Sequence, residues 1–391
     1  MKIDKRKKLL IYKALLFIFA FVIAFMPSTA TRNREVNRRV IVEIVGIDAS
    51  DDGVELTAQY VMPTETDGAT SKDKITVNAP TVPQAAEMLN TSLGRRAELG
   101  HCSMVIMGEG ALPEHITSLI TATDITADVY LAAAKEKASE LVSSLTDFMK
   151  KTGATDADFI AYGAKKSHIA TNTLLGFLSD LGSKSETAFA PVVEMIEADK
   201  GSGEGGGSGG GGSENGGSDS SQSSGGGSSG GGDSSGGGGS GGDTGMKVEK
   251  LALYGKNGRV GLLDSTAARG VAWVSSPVQN GVLAAGKVTG RLIKKKSHLD
   301  VDGDNMSVTV KIKASLDTHS MYDSADQDFD LEKLFEDEIK KELESGYNSA
   351  LALGRDPMFV MREMYRYAPD AAENASIGDI KVNFSVDVTV K

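Results

Sequence analysis

Cysteine is almost missing from this chain. Cys102 stands alone among 391 residues, so no internal disulfide forms and a cysteine-based zinc site is excluded. Aromatic residues are scarce at 6%, and Trp273 is the single tryptophan. Basic charge is in deficit as well: 42 Lys and Arg stand against 53 Asp and Glu, a net charge of −11. Much of that basic charge gathers near the amino-terminal end, which leaves the remainder more acidic still. Nucleic-acid binding, which neutralises phosphates with Lys and Arg, is argued against. Apolar residues at 40% still supply a core, and the length suits two or three domains.

One long apolar run is present. Leu9 to Met26, LLIYKALLFIFAFVIAFM, follows a basic cluster of Lys2, Lys5, Arg6, Lys7 and Lys8. About 18 helical residues rise ~27 Å, close to the ~30 Å hydrocarbon layer of a bilayer. Lys13 lies near the amino end of the run, where its stem carries the ammonium to the interface. The basic flank predicts a cytoplasmic amino terminus, a single transmembrane anchor and an exported body. A removable signal peptide is the competing reading, because Pro27 is followed by Ser28-Thr29-Ala30, a small-x-small cleavage signature. Both readings export the chain. No cysteine stands near this junction to carry a lipid.

Beyond the anchor, strand and helix patterns alternate. VIVEIVGID, ending at Asp48, and VELTAQYVM, from Val54, read as antiparallel strands joined by the turn Asp48–Gly53. Lys74–Ala79 is a third strand. Thr81, Pro83 and Gln84 predict a helix start, with Ala85, Ala86, Leu89 and Leu93 as its buried stripe. Cys102–Met107 reads as a strand between Gly100 and Gly108, and helical patterning covers Leu112–Thr121 and Ala132–Lys150. A short helix over Thr173–Leu181 and a strand over Phe189–Ile196 follow.

From Gly201 to Gly242 the sequence is almost entirely Gly and Ser. Such a segment buries too little apolar surface to offset its ordering cost, and it lacks the GK[ST] of a phosphate loop. It predicts a tether, inserted either between domains or within one. After it, VEKLALYG, RVGLLD and GVAWV read as short strands between Val248 and Val274. Two long strands, Val282–Lys294 and Met306–Leu316, flank the turn Leu299–Asn305. A long helix runs from Asp328 to Gly354 on the stripe Leu331, Leu334, Phe335, Ile339, Leu343, Tyr347 and Leu351. Asp356-Pro357 opens a shorter helix with Phe359, Met361, Met364 and Tyr365 as core, and Ile380–Val390 closes the chain as a strand with one buried face.

Few residues invite a chemical role. His101, with Glu98 and Glu109 near it in sequence, reads as a histidine bonding backbone at a strand entry more than as a base or ligand. No second His stands at metal-ligand spacing, and His115 falls on a helix surface. Cys102 reads as a buried structural thiol, and Trp273 as core. Asp300, Asp302, Asp304 and Asn305 resemble the start of a calcium loop, yet Gly303 takes the fourth place instead of the sixth and Lys311 takes the twelfth. A hairpin on Asp302-Gly303 fits better. No catalytic, cofactor-binding or metal-binding residue is assigned, and the chain reads as no enzyme. The fold class is α+β: mixed, mostly antiparallel sheets flanked by helices. The domains read as residues 1–30, the basic tail and anchor; 31–199, with a subdivision near 145–150; 200–245, the insertion; and 246–391.

Three stretches in order, with a weaker fourth, resemble one family. REVNRRVIVEIVGID (Arg34–Asp48), RRAELGHCSMVIMGEGAL (Arg95–Leu112) and LALYGKNGRVGLLDSTAARGVAWV (Leu251–Val274) are similar to the C subunits of bacterial spore-germination receptors, the Ger(x)C or GerAC-type proteins. GRDPMFVMREMYRYAP after the long helix is the weaker fourth. The resemblance implies a non-enzymatic, exported accessory subunit on the outer face of the spore inner membrane. It also implies a multi-span A-type partner and a transporter-like B-type partner. This chain lacks the family's lipid-bearing cysteine, so the Leu9–Met26 helix would anchor it. The alternative is an anchored extracytoplasmic solute- or wall-binding protein without a germination role.

Overall fold

β-Branched residues at alternate positions start the fold. In the computed structural model, which describes residues 39–63, 70–152, 168–196, 245–275, 281–318 and 330–391 with isolated positions between 13 and 21, β1 (Arg39–Ser50) and β2 (Gly53–Pro63) pair antiparallel. β3 (Thr70–Ala79) adds to β2, also antiparallel. From Ile44 to Asp48 every residue of β1 is buried, so both faces of this strand are covered. The Leu9–Met26 run lies, apart from those isolated positions, outside the described residues, as does the Gly/Ser stretch. No helix among the described residues is long and apolar enough to cross a membrane.

α1 (Val82–Leu93) starts where expected. The Thr81 hydroxyl accepts from the Gln84 amide at 3.4 Å, and Gly94, in the left-handed region, closes the helix. Ala85, Ala86 and Leu89 are buried and Leu93 is half-buried. There follow β4 (Arg96–Glu98), a 3-10 turn at Leu99–His101, β5 (Met104–Met107), α2 (Pro113–Ala122), β6 (Tyr130–Ala134) and α3 (Ala138–Thr152). Two expectations are corrected here. Cys102 precedes β5 instead of lying in it, and Ala132–Ala134 end a strand instead of opening a helix. Those alanines favour helix in isolation, but they sit fully buried in mid-sheet between β5 and a later strand, where pairing overrides propensity. Residues 145–150 lie within the continuous α3.

β7 (Asn172–Thr173), α4 (Leu174–Gly182), β8 (Ala188–Ile196), β9 (Gly245–Gly255) and β10 (Gly258–Leu263) complete the large sheet. Its order is β10-β9-β8-β6-β5-β1-β2-β3, with β4 beside β1 and β7 beside β6. Its centre is parallel: β1 with β5, β5 with β6, and β6 with β8. The expectation of mostly antiparallel sheets therefore fails in the middle of this one. A crossover helix, α2, stands between β5 and β6, as parallel neighbours require. Strands β8 and β9, which flank the Gly/Ser stretch in sequence, are neighbours in the sheet.

GVAWV belongs to α5 (Ser265–Ser275) and not to a strand. The Asp264 carboxylate caps this helix, accepting from the Ala267 amide at 2.9 Å. α6 (Leu331–Ala352) is capped likewise by Asp330 through the Lys333 amide at 3.0 Å. The two helices cross where Gly270 meets Gly346, and a Cβ on Gly270 would overlap the Glu342 carbonyl. α7 (Val360–Tyr367) and α8 (Pro369–Ala372) follow. Phe359 and Met364 are buried and Met361 half-buried, whereas Tyr365, expected in the core, is exposed.

A second sheet has the order β11 (Val282–Ala285), β12 (Val288–Asp302), β13 (Ser307–Thr318), β14 (Lys381–Val390). The stretch read as one strand, Val282–Lys294, breaks at Gly286, which is left-handed at φ 59° and turns β11 into β12. β12 and β13 form the hairpin expected at Asp302, whose carboxylate accepts from the amide and side chain of Asn305 at 3.2 and 2.7 Å. β14 joins β13 in parallel. One continuous core runs from Ile44 and Leu145 through Phe189, Leu251 and Trp273 to Ile312, Phe335 and Val360. The described residues from Arg39 to Met195 and from Met246 onward form one compact unit.

Candidate functional site

The Gly-Ile-Asp close of β1 has a structural task. Asp48 is buried, and its two carboxylate oxygens accept from the amides of Ala138 and Ser139 at 2.7 and 2.8 Å. It thus caps α3, contributed by a strand ninety residues earlier in the chain. Gly108 leaves room for this carboxylate, since a Cβ there would overlap Oδ1 of Asp48. Next to it, Glu109 pairs with Arg259 of β10 at 3.0 Å, and Arg259 also donates to the carbonyls of Ala134 and Lys135 at 2.7 and 2.8 Å. The helix end that could have taken an anion is already occupied by the chain's own carboxylate.

A cleft of about 480 Å³ opens elsewhere, where β7, α4 and β8 meet α7 and β12. Behind its polar wall lies a buried knot. Asp356 accepts from the Ser185 hydroxyl at 2.6 Å and from the amides of Val360 and Met361 at 3.0 and 2.8 Å. Its own amide donates to Thr187 Oγ1 at 3.0 Å, and Ser185 Oγ accepts from the Arg362 amide at 3.2 Å. Burial pushes the Asp356 carboxyl up to about 6, against these hydrogen bonds and the Arg362 charge, which favour its ionised form. The knot fixes the start of α7, and with it Arg362 and Arg366, one turn apart.

Arg362 reaches Asp180 of α4 at 3.9 Å and Glu363 at 3.2 Å, and its guanidinium lies over the Phe359 ring at 4.1 Å. Arg366 approaches Glu363 at 3.7 Å. Asn172 donates to Asp180 at 3.0 Å. Burial raises the Asp180 carboxyl above its ordinary value, with the Asn172 hydrogen bond and Arg362 opposing. The two acids are mostly covered, whereas the Arg362 and Arg366 side chains are 43% and 67% exposed. The cleft therefore turns cationic groups toward solvent and keeps its anionic groups behind them. Such a wall suits a carboxylate or another small anion. Its serines are committed elsewhere: Ser275 donates to Val271 O at 2.8 Å and Ser297 to Val274 O at 3.2 Å. The nearby His298 pairs with Asp300 at 2.7 Å.

The residues weighed from sequence are scattered. His101 is exposed, Glu98 pairs with Arg39 at 2.8 Å, and Glu109 is taken by Arg259. His115 is half-buried instead of lying on the helix surface. Its Nδ1 accepts from the Leu112 amide at 3.2 Å, and burial lowers its pKa. The Cys102 thiol donates to Met104 O at 3.1 Å, and burial pushes it up to about 12, so it is an inert core group. Trp273 is core, with its Nε1 donating to the buried Glu342 at 2.7 Å and Arg269 donating to the same carboxylate at 2.6 Å. Asp300 pairs with Lys311 and His298. No group of acidic, His and Cys side chains that could hold a metal occurs among the described residues. Sequence reasoning missed the cleft residues Asp180, Arg362, Glu363 and Arg366. The available signal was the polar face of α7, with arginines four apart.

The geometry thus defines a mixed α+β protein with a polar, arginine-faced cleft. Two family descriptions match it: "Spore germination protein N-terminal domain" over residues 32–195 and "Spore germination B3/ GerAC like, C-terminal" over residues 249–391. The chain belongs to the GerAC-like, or Ger(x)C, family of spore germination proteins. Comparison with curated proteins gives no match. Among solved structures, the crystal structure of the GerBC protein aligns over 88% of this chain and 96% of that one, at 13% identity and a TM-score of 0.48.

Proposed function

We propose that the protein is a membrane-anchored C-type subunit of a spore nutrient germinant receptor, acting through contacts with integral-membrane A-type and transporter-like B-type partners. The match of both family regions, on either side of the Gly/Ser insertion, carries this reading. The anchor is the Leu9–Met26 run, which places the body on the outer side of the spore inner membrane as a single-pass protein. Anchoring raises the effective concentration of the body for partners in the same bilayer, so modest contacts suffice. Its role is non-enzymatic. In domain terms the chain is a basic tail with anchor, an amino-terminal region to residue 199, an insertion over 200–245 and a carboxy-terminal domain from 246. The test is a crosslinked pull-down of the tagged protein from spore membranes. Recovery of a multi-span permease-like protein and a second integral subunit is expected. Abundance in growing cells with absence from spores would overturn the reading.

The cleft favours a second reading, an anchored solute-binding protein, because Arg362 and Arg366 face solvent there. Saturable binding of a small carboxylate by the protein without partners, lost in Arg362→Ala, would support it.

A further inference from the structure

The solvent face of the small sheet is basic on a protein that is acidic overall. Strand alternation puts one side of β12, β13 and β14 outward. Lys294, Lys296 and His298 of β12 stand opposite Ser315, Lys313 and Lys311 of β13. In β14, Lys381, Asp387 and Thr389 lie beside Ser307, Lys313 and Ser315 on the same side. With Arg291, opposite Asp317, this face carries six Lys and Arg against Asp300, Asp302, Asp317 and Asp387. The whole chain has a net charge of −11. Lys311 is paired with Asp300, and Lys313 with Asp387 at 3.0 Å. Lys294, Lys296 and Lys381 make no ion pair with any described residue. A depression of about 300 Å³ lies between Lys294, Lys296 and Lys313, with Ser315, Thr389 and the Lys313-paired Asp387 also in its wall. Two apolar side chains, Val282 and Ile293, are 48% and 43% exposed toward the β11 side.

We infer that this face is an electrostatic docking surface for an anionic bilayer, its lysines taking lipid phosphate groups. Charge complementarity is the first argument, since ammonium groups without partners gain most from a surface of fixed negative charge. The second is orientation. A body with this excess of acid is repelled by an anionic membrane in other poses, so only the basic face approaches within the ~8 Å Debye length. The third is reach. Residues 27–38, which separate the apolar run from β1, span at most ~40 Å when fully extended. Under the anchor reading, on which this inference rests, the body never leaves the neighbourhood of the bilayer. Val282 and Ile293 suit the headgroup boundary, where exposed apolar side chains meet acyl chains.

The experiment uses the full chain in vesicles of phosphatidylcholine, with or without phosphatidylglycerol. A fluorophore is placed on the exposed Ser385→Cys position of β14, and the buried Cys102 is shielded from labelling. Headgroup-quencher lipids are expected to quench this label several-fold more in phosphatidylglycerol vesicles. Salt at about 1 M, where the Debye length is ~3 Å, removes the difference. The triple variant Lys294→Glu, Lys296→Glu, Lys313→Glu also removes it while keeping its circular dichroism and melting temperature. Equal quenching in both lipids, or quenching unchanged by the triple variant, would overturn the inference. So would a result in which the variant loses a crosslinked acidic protein while lipid quenching persists. The anchor reading fails separately if alkaline carbonate releases the protein. The released chain, added from outside, is then scored by the same two vesicle types.

Discussion

Two buried aspartates show how single residues join distant parts of this chain. Asp48 ends a strand and caps a helix, and Gly108 must stay small for it to do so. Gly108→Ala is expected to push Asp48 off the amides of Ala138 and Ser139, at a cost of about 2 kcal/mol, a lost cap plus local strain. Urea unfolding checks this, and a variant within a few tenths of a kcal/mol of the parent would refute it. Asp356 predicts a pH effect. Its carboxyl sits at about 6 in the folded protein against 3.8 as the ordinary value. The folded state therefore binds a proton that the unfolded chain has released, so this group's contribution is fully present below about 3.8 and is lost as pH rises through about 6. The difference is worth about 3 kcal/mol. Stability of the parent minus that of Asp356→Asn, measured by urea unfolding, should be larger at pH 4.5 than at pH 7. A difference that is constant or grows with pH sinks the assignment.

At the scale of elements, capping and periodicity were readable and context was not. Thr81 with Gln84 marks α1, and the Leu331–Leu343 stripe marks α6, because those signals are local. GVAWV misled because three of its residues, Val271, Trp273 and Val274, suit a strand, while the helix it joins is set by Asp264 and the Ala-rich turn before it. Ala132–Ala134 misled in the opposite sense, since pairing with β5 and β8 decides their state. The crossing of α5 on α6 depends on backbone contact at Gly270 and Gly346. Gly270→Ala is expected to cost about 3 kcal/mol or more, through overpacking at the crossing. It should also shift the emission of Trp273, which is three residues along the same helix. A variant with unchanged melting temperature and emission would show that the helices separate freely.

At the scale of the whole molecule, the Gly/Ser stretch joins neighbouring strands of one sheet. Shortening the ~45-residue connection to about 10 residues lowers the loop-closure cost by about 1 kcal/mol. The shortened protein is therefore expected to melt at the same temperature or slightly higher. A marked loss of stability would mean that the insertion contributes to folding. The cleft belongs to this scale too. Arg362 and Asp180 lie far apart in sequence, and no local pattern relates them; the Asp356 knot brings their elements together.

The sequence by itself determined the α+β class, most strands and helices, the place of the insertion, the inert state of Cys102 and the family. Each of these rests on composition, short-range periodicity or ordered motifs, which are properties of neighbours along the chain. Only the tertiary structure decided the parallel centre of the large sheet, the helical state of GVAWV, the pairing of β8 with β9 and the arginine-faced cleft. These depend on which elements meet in space, where burial and pairing outweigh the preferences of any one segment.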